Sequence, residues 1–356
     1  MHVVMAAGGT AGHIEPAVNT ADTLRELRPD CTVTFLGSER GLESTLVPAR
    51  GYPLVTLPSL PVPRGLDPRL LKLPGSLATS VHEARRFLRE GKVDAVVGFG
   101  GYASAPAYVA ARWERVPLLV HEANARPGWA NRLGARLTRH VAAVRAGDLP
   151  HARAVGMPLR SSIRELDRHA TAHAAREELG VRSPVVLVFG GSQGARRLND
   201  LVASCRDTWL ADGITVIHVY GASNVPPTAQ PGYLPVPFTD RMDLLYAAAD
   251  LVVCRAGAMT CAEVAAVGLP AIYVPLPVGN GEQELNALPV VRAGGGLVIR
   301  DQDVTPAWLA EQVSSLVRDE PRLRDMGARA RAQGVRDADR VMADWVIDIV
   351  EGGRAS

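Results

Sequence analysis

The chain has 356 residues, 47% hydrophobic and 21% charged, and its 39 basic and 37 acidic residues leave a net charge of +2. That length exceeds one ordinary core and predicts two domains of about 150–180 residues. The composition excludes a disordered or fibrous chain, and the near-balanced charge gives no global field for nucleic acid.

Along the chain, short apolar runs alternate with longer amphipathic ones, the pattern of βαβ units on parallel sheets. Strands are predicted at residues 2–7, 32–36, 95–98, 118–121 and 140–144, then at 185–189, 215–220, 251–254 and 271–274. Helices are predicted at 16–27, 309–317 and about 337–350. The start, from Met1 to Ala7, lacks the basic and long apolar stretches of a signal peptide. Uncharged runs at 95–111 and 264–281 approach the length of a membrane span, but their glycines and prolines mark them as buried strands with loops. Cys31, Cys205, Cys254 and Cys261 form neither a C-x-x-C pair nor a zinc-spaced cluster, and read as buried free thiols of a reducing cytosol.

One device occurs twice. The strand at 2–7 runs into Gly8-Gly9-Thr10-Ala11-Gly12, and the strand at 185–189 runs into Gly190-Gly191-Ser192-Gln193-Gly194. Such a turn lets backbone N–H groups approach an anion, and the following helix adds the positive end of its dipole. A single copy would be explained equally well by tight βα geometry. Two matched copies suit a ligand bearing phosphates, or a donor and an acceptor meeting between domains, at the carboxyl ends of the strands of two doubly wound sheets. Neither turn is G-x-G-x-x-G, which disfavours a dinucleotide cofactor, and Glu39 reads as a solvated turn residue. The domain boundary is expected at 156–160, giving domains 1–158 and 159–336, with the last helix (about 337–353) packing back on the first.

Seven segments, in order, resemble the MurG family of glycosyltransferases (glycosyltransferase family 28), most like its actinobacterial members. They are GGTAGH at 8–13, GFGGYAS at 98–104, HEANARPGWANR at 121–132, GMPLR at 156–160, GGSQGA at 190–195, CRAGAMTCAE at 254–263 and GNGEQELNALP at 279–289. Departures from the family pattern fall at Ala11, Glu15, Ala123 and Glu282. The resemblance implies an α/β GT-B fold, two Rossmann-like doubly wound parallel-sheet domains facing a central cleft. It also implies an inverting transfer of N-acetylglucosamine from UDP-GlcNAc to a lipid-linked muramoyl pentapeptide in peptidoglycan synthesis.

Carried over residue by residue, the resemblance implies catalytic roles for His13, Asn124 and Glu122, with His13 as the base. Gly9, Tyr102 and Asn131 are assigned to the acceptor, and Thr10, Gly12, Arg160, Ser192, Gln193, Ala258, Met259 and Thr260 to the donor. Arg160 would counter charge on the departing UDP, with a plain surface ion pair as its other reading. Phe238 and Thr239 would frame uracil, Glu263 would accept from the ribose hydroxyls, and Glu282, Gln283 and Asn286 would hold the GlcNAc hydroxyls. Thr260 and Glu263 also satisfy the spacing of a capping box, which competes with the ribose role for Glu263. Glu282 keeps an acceptor where glutamine would also donate.

No cofactor beyond the donor substrate and no metal are expected, although D-x-D triplets occur at Asp301-Gln302-Asp303 and Asp337-Ala338-Asp339. A peripheral place on the cytoplasmic face of the membrane is expected, with an anionic lipid surface, a polyprenyl-diphosphate acceptor and cell-wall synthesis proteins as partners, and no nucleic acid. Between Arg64 and Lys92, seven basic residues (Arg64, Arg69, Lys72, Arg85, Arg86, Arg89, Lys92) interleave with Leu66, Leu70, Leu71, Leu73 and Leu77. That segment reads either as a membrane contact or as a core-facing leucine stripe with a solvated basic face. Three rival functions stand beside this one. The first is a serine hydrolase on Ser192, for which the only later histidine is His218. The others are an exported two-lobed binding protein and a related transferase of an antibiotic pathway with another sugar or acceptor.

Overall fold

The computed structural model describes residues 1–39, 41–58, 73–147, 149–191, 194–277 and 281–354. The chain divides into two compact units, Met1–Arg160 with Arg336–Ser356, and Ser161–Val335.

The first unit holds β1 (His2–Ala7), β2 (Thr32–Ser38), β3 (Leu54–Leu57), β4 (Ala95–Gly100), β5 (Leu118–Glu122), β6 (His140–Ala143) and β7 (Ala152–Ala154). They form one sheet in the order β3-β2-β1-β4-β5-β6-β7, every pair parallel. Its helices are α1 (Ala11–Leu27), α2 (Glu43–Ala49), α3 (Leu73–Glu90), α4 (Ser104–Glu114) and α5 (Trp129–Leu137). The second unit repeats the plan with β8 (Val185–Phe189), β9 (Thr215–Val219), β10 (Tyr233–Val236), β11 (Leu251–Cys254), β12 (Ala271–Tyr273) and β13 (Gly296–Val298). Their order is β10-β9-β8-β11-β12-β13, again parallel throughout. The helices of the second unit are α6 (Ser161–Arg164), α7 (Arg168–Leu179), α8 (Arg196–Ala211), α9 (Met242–Ala248), α10 (Ala258–Val267), α11 (Glu282–Arg292), α12 (Pro306–Arg318) and α13 (Glu320–Arg331).

The central strands are apolar on both faces because helices cover both sides of a parallel sheet; all five residues of β8 are buried, as are five of the six in β1. The strands absent from the sequence-based expectation, β3, β7, β10 and β13, are the four sheet edges. An edge strand needs less apolar character, and β10 carries Pro235, which such a position tolerates. The two long uncharged runs resolve into β4 with α4 and into α10 with β12. Among the described residues no helix is long and apolar enough to cross a membrane.

The last helix, α14 (Ala338–Arg354), returns to the first unit. Met342, Ala343, Val346, Ile347 and Val350 join the core built from β1 and α1. Inside that packing, the Thr23 hydroxyl donates to Asp339 Oδ2 at 2.6 Å, and both residues are buried. Asp339, the second member of a D-x-D triplet, therefore ties α14 to α1. Replacing Asp339 with alanine leaves the Thr23 hydroxyl without this acceptor and is expected to destabilise the unit by about 1–3 kcal/mol. Urea unfolding checks this, and an unchanged midpoint would contradict the role given to the contact.

Candidate active site

In both units the strand order reverses direction beside a glycine turn: β1 lies between β2 and β4, and β8 between β9 and β11. That switch point is where open α/β sheets bind ligands.

In the first unit, Gly8, Gly9 and Thr10 link β1 to α1, and Gly9 adopts φ +88°, a conformation that favours glycine. Gly101, after β4, presses on this turn: a Cβ there would stand 2.1 Å from the Gly8 carbonyl oxygen. Glu43, at the start of α2, is fully buried beneath it. One carboxylate oxygen accepts the Gly9 N–H at 2.8 Å, and the other accepts the Ser38 N–H at 2.8 Å and hydroxyl at 2.6 Å. His13 lies in the first turn of α1, its Nδ1 3.1 Å from the Gly8 carbonyl oxygen and 3.3 Å from Thr10 Oγ1. A carbonyl oxygen only accepts, so Nδ1 carries a proton, and in the neutral ring this leaves the lone pair on Nε2.

The next strand ends form the neighbouring wall. Glu122, at the end of β5, is 3% exposed. Its oxygens accept the backbone N–H of Asn124 at 2.9 Å, the Gly128 N–H at 3.1 Å and Asn131 Nδ2 at 2.9 Å. Asn131 also donates to the His121 carbonyl at 3.0 Å and accepts the Tyr108 hydroxyl at 2.8 Å. Tyr108 in turn accepts the Gly100 N–H at 3.1 Å. Tyr102 and Trp129 are both exposed, with ring centroids 5.9 Å apart, above this network.

The second unit presents a different surface. Gly191 and Gly194 take φ +95° and +73° in the turn after β8. Beside it, α10 starts at Ala258 behind Gly257, which brings no capping side chain. The first N–H groups of α10 thus have no capping side chain, and the positive end of the helix dipole lies there. Glu263, one and a half turns on, accepts the Tyr246 hydroxyl at 2.9 Å. On α11, Gln283 Oε1 accepts the Leu276 N–H at 2.9 Å, and Asn286 donates to the Ala256 carbonyl at 3.3 Å. That bond sets the start of α11 beside the start of α10. Phe238, 58% exposed, and Thr239 lie on the loop between β10 and α9. Beneath α10, the buried Arg255 meets the Val274 carbonyl at 3.1 Å and pairs with Asp301, which Arg197 also reaches at 3.1 Å.

The structure gathers Gly9, Thr10, Gly12 and His13 at one strand end, with Tyr102 and Asn124 at the two strands that follow in the sheet. In the other unit it gathers Ala258, Met259, Thr260, Glu263, Glu282, Gln283 and Asn286. Several expectations change. The expected capping box is absent, since α10 begins two residues before Thr260 and its N-cap is Gly257. Asn131, expected to touch the acceptor, is 2% exposed and committed to the loop network, as is Glu122. Arg160 donates to Glu15 at 2.9 Å, and Glu15 also holds Arg50 at 3.1 Å, so the ion-pair reading describes Arg160 here. Asp301 is taken up by arginines. His218 is buried in β9, bonded to Tyr233 and Asn199, and has no hydrolase-like placement. Ser192 and Gln193 lie outside the described residues, as do Arg64, Leu66, Arg69, Leu70, Leu71 and Lys72. Reading the sequence alone missed Glu43, Tyr108, Arg255 and Asn199. Glu43 left a trace in the glycines at 37 and 41 that make room for it, and Tyr108 in those at 98 and 134.

Comparison with known proteins is consistent over the whole chain. Residues 3–143 match the glycosyltransferase family 28 N-terminal domain and residues 185–342 the family's C-terminal domain. A Streptomyces avermitilis protein is 50% identical over 98% of this chain and 99% of its own length. A protein of Mycobacterium sp. strain KMS is 51% identical over 99% of this chain and 97% of its own. Both are named UDP-N-acetylglucosamine--N-acetylmuramyl-(pentapeptide) pyrophosphoryl-undecaprenol N-acetylglucosamine transferase. The crystal structure of Acinetobacter baumannii MurG superposes with a TM-score of 0.75 at 27% identity, covering 98% of this chain and 99% of that one.

Burial pushes the imidazoles of His121, under the first site, and His218, in the second unit, down to about 4. In the unfolded chain they protonate near 6.5. Between those values the unfolded state binds protons that the native state does not, so stability falls as pH drops from about 6.5 toward 4. The expected loss is up to about 1.4 kcal/mol per pH unit for each histidine. Urea midpoints at pH 7 and pH 5 measure it, and equal midpoints would contradict the burial argument.

Proposed function

The chain belongs to glycosyltransferase family 28, and from that premise we propose that it converts lipid I to lipid II. It moves N-acetylglucosamine from UDP-GlcNAc to the 4-hydroxyl of the muramoyl residue of the undecaprenyl-diphosphate-linked pentapeptide. The carrying observation is half-identity, over nearly full length, to relatives that bear this activity in their names. The fold is GT-B, two Rossmann-like units.

The donor is held by the second unit. The amides of Ala258, Met259 and Thr260 take the diphosphate at the positive end of α10, with Ser192 and Gln193 assigned there by the resemblance. Glu263 accepts from the ribose hydroxyls, and Phe238 and Thr239 frame the uracil. Glu282, Gln283 and Asn286 hold the GlcNAc hydroxyls. Because Gln283 Oε1 is held by Leu276, its amide N–H groups are what it offers the sugar.

The acceptor belongs to the first unit, at His13, Tyr102 and Asn124. As the 4-hydroxyl oxygen bonds to the anomeric carbon, His13 Nε2 takes its proton. The bond from that carbon to the phosphate oxygen breaks, and UDP leaves with the electron pair. One displacement inverts the α-linked donor to a β-linked product. Arg160 serves the leaving diphosphate once it parts from Glu15. No metal has a part in this reading: α10 meets the phosphate charge, and Asp301 is neutralised by Arg255 and Arg197.

Purified protein with UDP-GlcNAc and a short-chain lipid I analogue, in EDTA, is expected to release UDP and give the β-linked disaccharide. His13→Ala should lower kcat by roughly a hundredfold to ten-thousandfold. Full activity in His13→Ala, an α-linked product, or loss in EDTA with rescue by magnesium would each contradict this mechanism.

A lipid-linked acceptor calls for contact with the cytoplasmic face of the membrane. The first unit offers Trp113, 63% exposed with the Arg85 guanidinium 4.3 Å over its ring, beside exposed Leu77, Arg86, Arg89 and Arg112. On α3, Val81, Ala84 and Leu88 face the core, so the contact uses the helix's other side. Sedimentation with anionic liposomes should weaken roughly tenfold in Arg86→Ala/Arg89→Ala/Trp113→Ala. Binding that ignores anionic lipid content would favour a merely solvated basic face.

A further inference from the structure

The buried carboxylate of Glu43 and the imidazole of His13 meet opposite ends of one peptide group. The Gly9 N–H that Glu43 accepts at 2.8 Å and the Gly8 carbonyl that lies 3.1 Å from His13 Nδ1 belong to the same Gly8–Gly9 amide. In a trans peptide these two groups point in opposite directions. The result is a carboxylate, a peptide and an imidazole in line. Space for the carboxylate is made on purpose by small residues. A Cβ at Gly8 would stand 2.7 Å from Glu43 Oε1, one at Gly41 1.9 Å from Oε2, and one at Gly37 2.6 Å from Cγ.

We propose that Glu43 is a positioning residue for His13, acting through the Gly8–Gly9 peptide to hold the imidazole as the Nδ1–H tautomer with Nε2 unprotonated. A full negative charge at the N–H end polarises the peptide and makes its carbonyl a stronger acceptor, since hydrogen bonds in a chain reinforce one another. The same carbonyl steadies the imidazolium formed when Nε2 takes the acceptor proton. A carboxylate directly on Nδ1 does this for the histidine of hydrolytic triads; here a peptide group stands between. The proposal rests on His13 as the base, but its first readout does not.

That readout is the tautomer of His13, from long-range proton–nitrogen spectra of the ¹⁵N-labelled full chain, with the resonance assigned by its loss in His13→Ala. The wild type should show Nδ1 protonated and Nε2 bare. Glu43→Gln cannot accept on both arms, and it should depopulate that form and lower kcat by about tenfold or more, with KM for UDP-GlcNAc within about twofold. Ser38→Ala, which removes only the hydroxyl at the other carboxylate oxygen, should keep the tautomer. Should Glu43→Gln fail to fold, Gly37→Ala keeps the charge but pushes the side chain off Gly9, and should also shift the tautomer. A wild type with Nε2 protonated, or a folded Glu43→Gln or Gly37→Ala that keeps Nδ1–H, would overturn the proposal. A tautomer that shifts as expected beside a fully active His13→Ala would instead sink the reading of His13 as base and leave the linkage standing.

Discussion

Parallel strands end with backbone N–H groups and helix N-termini crowded at one edge of the sheet, and each of those donors must find an acceptor. How the two units answer that demand sets the rest of the structure. The first unit answers it internally, with Glu43 on Gly9 and Ser38 and Glu122 on Asn124 and Gly128. Helix starts lack a capping side chain in both units, α1 behind Thr10, α8 behind Ala195 and α10 behind Gly257. The strand-end loops of the first unit are thus already supplied with negative charge.

Close approach of backbone shapes the first unit's edge. Gly101 rests against the Gly8 carbonyl, leaving no room for a side chain between the turns after β1 and β4. The second unit repeats this with Gly194, where a Cβ would meet the Tyr220 carbonyl at 2.5 Å. Under the first edge, the buried relay through Gly100, Tyr108, Asn131 and Glu122 satisfies each polar member with another. Burial raises the Tyr108 hydroxyl well above its ordinary range, so it stays a neutral donor. A network satisfied in this way specifies one loop geometry, and that loop carries Asn124 toward His13's strand edge.

Charge is handled by the same means. Asp301 and Asp339 look like metal ligands in the sequence, yet one is enclosed by Arg255 and Arg197 and the other ties α14 to α1. Glu15, where family members often carry an aromatic, gathers Arg50 and Arg160. Arg160 is thus held in an ion pair in this chain, and a pair between partly exposed groups contributes little.

By itself the sequence determined the doubly wound class, the central strands, the two glycine turns and the helix that starts after β11, because each is written in contiguous residues. His13, Tyr102 and Asn124 follow from the resemblance carried by GGTAGH, GFGGYAS and HEANARPGWANR. The four edge strands escaped it, since a strand with one neighbour and partial exposure needs no apolar run. Glu43 escaped because the stretch 37–43 reads as a polar turn, and Glu39 within it is indeed exposed. Only the placement of β2 beside β1 carries that stretch under Gly9. Asn131 changed role for the same reason: three partners from β4–α4 and β5 converge on it after folding. Motif spacing records which groups are present; which face a ligand and which face each other is decided by sheet order, through contacts between residues far apart in the chain.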